Sequence, residues 1–83
     1  MRLSIKTTGL LGKFLPEGSQ RNRGEVELPA GSTVRDLLNT LAIPDDGRCY
    51  VSINDSMLRA DELDTTVLDA SDKIVLMAPI SAG

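Results

Sequence analysis

One apolar stripe at helical spacing dictates much of what this chain can become. Val34, Leu37, Leu38 and Leu41 fall at i, i+3, i+4 and i+7, so a helix here has one apolar face that something else must cover. Thr33 precedes the stripe as an N-cap. Asp36 sets a carboxylate against the free N–H groups of the first turn, a weaker relative of the capping box. Pro44 is expected to end the helix, because it pushes Ile43 toward extended geometry.

Segments that can cover the stripe stand on both sides of it. Leu3-Ser4-Ile5-Lys6-Thr7 and Glu25-Val26-Glu27-Leu28 alternate apolar with polar, the period of half-buried strands, and are expected to pair antiparallel. Cys49-Tyr50-Val51-Ser52-Ile53 reads as a third strand, closed by a tight turn at Asn54-Asp55 before a short return at Met57-Leu58. Residues 73–77 form the last strand. Gly9-Leu10-Leu11-Gly12 reads as a turn and residues 17–24 as a solvated loop, while Leu63, Val67 and Leu68 are spaced apolar residues in the acidic stretch 60–72. The order β, β, α, β, short β, β predicts an α+β architecture: a mixed sheet of four to five strands packed on one main helix.

Composition narrows the function. The 83 residues leave room for one domain, and 41% hydrophobic with 25% charged residues is the balance of a soluble globule. Phe14 and Tyr50 are the only aromatics and the net charge is −3, so neither stacking surface nor phosphate-binding charge favours nucleic acid. No stretch resembles a signal peptide or a membrane span, which points to the cytoplasm and away from membranes. The lone Cys49 cannot form an internal disulfide and reads as a small hydrophobe at the head of a strand.

With no histidine, the chain has no Ser-His-Asp or Cys-His arrangement and no zinc site, and it is not expected to be an enzyme. Asp45-Asp46-Gly47 and Asp61-Glu62-Leu63-Asp64 lack the alternating ligands of a calcium loop and read as solvated acidic surface. Two leucines inside Gly9-Leu10-Leu11-Gly12 argue against an RNA-binding loop of that spacing. What remains is the ending, Ala78-Pro79-Ile80-Ser81-Ala82-Gly83, directly after a strand. A terminal glycine presents a carboxylate with no Cβ beside it, a shape that enters a narrow channel.

Three segments carry a resemblance: 29–38, from Pro29 through the capped helix start; Val51-Ser52-Ile53-Asn54-Asp55; and 69–83, from Asp69 through the last strand to Gly83. Together they resemble the MoaD/ThiS sulfur-carrier family, with a ubiquitin-like β-grasp fold, and the tail is closer to the molybdopterin-type ending. The resemblance implies one β-grasp domain over 1–83 with a flexible tail at 79–83. The chain departs from the family's pattern at Ala82, where the usual ending is Gly-Gly, at Asp55, where the turn is usually Asn-Gly, and at Ser71, where Gly-Asp is usual.

By the same resemblance, the reaction falls on the Gly83 carboxylate. An adenylating partner related to ubiquitin-activating enzymes would activate it, a sulfur donor would leave a thiocarboxylate, and a sulfur-accepting synthase or large subunit would consume it. ATP and magnesium would belong to the partner, since this chain has no phosphate loop. With the third and last strands adjacent, Tyr50, Ser52, Val75 and Met77 point outward by the two-residue period, and Tyr50, Val75 and Met77 make an apolar docking patch. Pro79, Ile80, Ser81 and Ala82 join it as the tail that a partner grips. Two alternatives stay open: a ubiquitin-like modifier transferred to lysines, and a binding module with no tail chemistry because of Ala82.

Overall fold

In the computed structural model the described residues are 1–16, 18–43 and 49–78. Five strands, β1 (Arg2–Thr7), β2 (Arg23–Glu27), β3 (Tyr50–Ile53), β4 (Ser56–Met57) and β5 (Ile74–Met77), form one sheet in the order β2-β1-β5-β3-β4. The first and last strands, β1 and β5, run parallel at the centre, and every other pairing is antiparallel. The helix α1 (Val34–Thr40) crosses one face. Its Val34, Leu37 and Leu38 join Leu3, Ile5, Val51, Ile74 and Leu76 in a single core. Each such side chain contributes roughly 1.5–3 kcal/mol by leaving water.

The helix starts as the sequence predicts, and more completely. Thr33 Oγ1 accepts the Asp36 N–H at 3.3 Å, and Asp36 Oδ2 accepts the Thr33 N–H at 2.9 Å, so the capping box is reciprocal. Its end corrects the expectation. Pro44 lies outside the described residues, and α1 has already stopped at Thr40, with Leu41 as its C-cap. Ala42 takes the left-handed conformation at φ 59°, its N–H bonds Asn39 O at 3.1 Å, and Ile43 N–H bonds Leu38 O at 3.0 Å. That is a Schellman motif built on alanine, with buried Ile43 and Leu38 as its hydrophobic contact.

Other boundaries shift for local reasons. The loop expected over 17–24 is shorter, because Gln20 and Arg23 bridge across a turn and β2 begins at Arg23. Gly9-Leu10-Leu11-Gly12 belongs to a 3-10 helix, Gly9–Phe14. A Cβ at Gly12 would overlap the Arg21 carbonyl oxygen, so this glycine permits the 3-10 segment to pack against the β2 turn. Asn54 (φ 52°) and Asp55 (φ 70°) are both left-handed, the two-residue turn that matches strand twist. Asn54 also ties that turn to the start of β5: its Nδ2 donates to Asp72 Oδ1 and its Oδ1 accepts the Lys73 N–H, each at 2.9 Å.

Candidate functional site

The end of β5 is fastened to the residue that follows β1. Because β1 and β5 are parallel, both reach the same end of the sheet, where Thr8 follows β1 and Ala78 follows β5. Thr8 N–H donates to Leu76 O at 3.0 Å, and Thr8 Oγ1 accepts the Ala78 N–H at 2.9 Å. Gly9, at φ +56°, lies so close that a Cβ there would sit 3.4 Å from Ala78 Cβ. Gly83, with Pro79, Ile80, Ser81 and Ala82, lies outside the described residues.

The sheet face opposite α1 brings the predicted patch together. Cross-strand partners share a face. Tyr50 pairs with Met77, and Val75 pairs with Ser52, which pairs in turn with Met57. Tyr50 is 48% exposed and Met57 55%, while Val75 and Met77 are half-buried. Ser52 corrects the expectation of an outward, accessible residue: it is only 8% exposed. Its place on the face is as predicted, but a short side chain flanked by Val75 and Met57 is covered by them. Met57 is an addition; counting back from the two-residue turn at Asn54-Asp55 aligns it with Ser52.

The remaining candidates carry less chemistry. Cys49 is half-buried, packs against the core, and burial pushes its thiol up to about 11, so it is protonated at neutral pH. Among the described residues no group of three or more His, Cys, Asp or Glu side chains could hold a metal ion. Asp45-Asp46-Gly47 lies outside them. No helix in the described residues is long and apolar enough to cross a membrane.

A mixed sheet with parallel first and last strands and one helix on its face is a ubiquitin-like β-grasp, here with its C-terminal strand leading into the tail. The family model for the ThiS family matches residues 17–83, and the chain belongs to that family. Solved structures agree on the fold. SAMP1 from Haloferax volcanii superposes at TM-score 0.72 with 23% identity, covering 100% of both chains. A chain from the protein–protein complex of subunits 1 and 2 of molybdopterin-converting factor from Helicobacter pylori 26695 matches at TM-score 0.63 and 17% identity, over 100% of this chain and 100% of that one. ThiS from Geobacter metallireducens gives 0.62 and 15%, over 98% of this chain and 100% of that one. No curated protein sequence matches this chain significantly.

Proposed function

We propose that this protein is a sulfur carrier whose Gly83 carboxylate is adenylated by a partner enzyme and converted to a thiocarboxylate, with the sulfur destined for molybdopterin biosynthesis. The observation that carries the reading is the family match, which runs through the tail to Gly83 itself. The ending Pro79-Ile80-Ser81-Ala82-Gly83 supports the molybdopterin branch by its likeness to that type of tail.

The chemistry needs little from this chain beyond presentation. A Gly83 carboxylate oxygen attacks the α-phosphorus of ATP, pyrophosphate leaves, and the acyl carbon gains AMP as a good leaving group. Sulfide then attacks that carbon and AMP departs, leaving a C–S bond where a C–O bond stood. ATP and magnesium are held by the partner. The chain is a co-substrate: the Thr8–Ala78 clasp holds the residue from which 79–83 follow, and the face around Tyr50, Val75 and Met77 docks first the adenylating enzyme and then the sulfur-accepting synthase.

Pyrophosphate exchange into ATP, catalysed by the adenylating enzyme of the same cells, tests the activation step. Exchange depends on this chain, and removal of Gly83 abolishes it. A channel that reads the penultimate position rejects Ala82→Val and accepts Ala82→Gly at least as well as the native residue. Equal rates for the Ala, Gly and Val forms would remove the steric argument. No exchange with any form, from an enzyme active on another carrier, would leave the chain a binding module.

A further inference from the structure

On a chain of net charge −3, the exposed side of β1 and β2 carries three cations, Arg2, Lys6 and Arg23, against two acids, Glu25 and Glu27. Most described cations are engaged. Arg2 meets Glu27, Arg35 meets Asp64, Arg59 meets Asp61 and Glu62, Lys73 meets Asp55, and Lys13 lies over the Phe14 ring. Lys6, Arg21 and Arg23 form no ion pair among the described residues, and all three line one shallow concavity.

Lys6 and Arg23 are moreover direct cross-strand partners, both exposed. Like charges placed so repel, and neither side chain is drawn off into an ion pair among the described residues. Lys6 faces Val75 on its other side. The register therefore draws one row across the sheet, Arg23, Lys6, Val75, Ser52, Met57, cationic at one end and apolar at the other. At about 4.8 Å per strand the row is roughly 19 Å long, within the reach of an ordinary protein interface. In β5 the row passes through Val75, two residues before the strand ends at Met77.

We infer that this face docks a protein partner whose facing surface is apolar opposite Tyr50, Val75, Met77 and Met57 and acidic opposite Lys6, Arg21 and Arg23. The inference rests on the carrier reading for the purpose of docking and adds the partner's charge and its orientation. A surface divided in this way seats its partner in one direction, which aims the tail. An island of cations on an acidic chain also steers an acidic partner to the correct face. A protein suits it better than nucleic acid: the row is apolar from Val75 to Met57, and Tyr50 is the face's only ring for a base to stack on.

The test measures KM and kcat for this chain in pyrophosphate exchange with the adenylating enzyme of the same cells, with calorimetry on the same pair. Lys6→Glu with Arg23→Glu should raise KM and Kd about tenfold at unchanged kcat, given the small energy of each exposed pair. The milder pair Lys6→Gln with Arg23→Gln should raise them about threefold, whereas Lys6→Arg with Arg23→Lys should stay near wild type. Added salt should weaken the wild type and not the Glu form. KM and Kd within twofold of wild type in both the Glu and Gln forms, or a flat salt dependence, would overturn the inference. So would wild-type binding to an oligonucleotide that the Glu form loses. Salt-sensitive binding without exchange would defeat the carrier reading and sustain this one; exchange indifferent to these charges would do the reverse. Neither binding nor exchange would defeat both.

Discussion

The Thr8 hydroxyl accepts the Ala78 N–H at 2.9 Å, joining the residue after the first strand to the residue after the last. The parallel pairing of β1 and β5 makes this bond possible, and it fixes Ala78 at the end of β5. Thr8→Val keeps the shape and removes the acceptor, at a cost of about 1 kcal/mol or less. Amide exchange at Ala78 should quicken while exchange at Leu76 stays slow, and Thr8→Ser should restore protection. Unchanged exchange at Ala78 in the valine form would show that the clasp does not hold Ala78.

Ala42 occupies a left-handed position that glycine adopts without a Cβ penalty. Ala42→Gly is expected to raise stability by about 0.5–1 kcal/mol, the steric relief exceeding the extra freedom given to the unfolded chain. The urea midpoint should rise with an unchanged slope. A lower midpoint would mean that the motif tolerates alanine without strain.

Burial raises the Cys49 thiol to about 11, so the folded state disfavours the thiolate. The unfolded chain loses this proton first, near the ordinary value of about 8.5. The stability contribution is therefore present in full below that pH and declines as pH climbs toward about 11. Alkylation by iodoacetamide, followed by mass spectrometry, should be slow at neutral pH and accelerate through this window. Cys49→Ala should flatten the difference in stability across it. Rapid labelling at pH 7 would contradict the assignment.

Met77 pairs with Tyr50 on the outer face and is half-buried rather than part of the core. Met77→Asp should leave the fold intact and weaken docking by more than about 1 kcal/mol, because the acid would be desolvated in the centre of an apolar patch. Calorimetry against the adenylating enzyme checks this. Undiminished affinity in a folded variant would place the interface elsewhere.

The strands and the helix were legible because their periods are set by residues close together in the chain. Val34, Leu37 and Leu38 are buried as their spacing requires, and Asn54-Asp55 forms the tight turn that its composition favours. Features that depend on pairing between distant segments were not legible. The helix ends at Thr40, closed by backbone bonds from Ala42 and Ile43 that no residue type announces, before Pro44 is reached. Ser52 is covered only because Val75 and Met57 flank it, and Lys6 meets Arg23 only because of the β1–β2 register. Thr8 gains its role from a partner seventy positions away. The candidate site divides in the same way: Tyr50, Val75 and Met77 share a face by the two-residue period of their strands, whereas the Thr8 clasp and the cationic corner exist only in the fold.

Intact mass of the protein purified from its own cells tests the central claim most directly. If Gly83 carries sulfur, a fraction of the molecules will be heavier by the difference between sulfur and oxygen. The increment will map to the C-terminal peptide and disappear when Gly83 is removed. Only the plain carboxylate, from cells in which the adenylating enzyme is active, would contradict the account. Gly83 joined to lysines of other proteins, with no thiocarboxylate form, would contradict it in favour of a modifier.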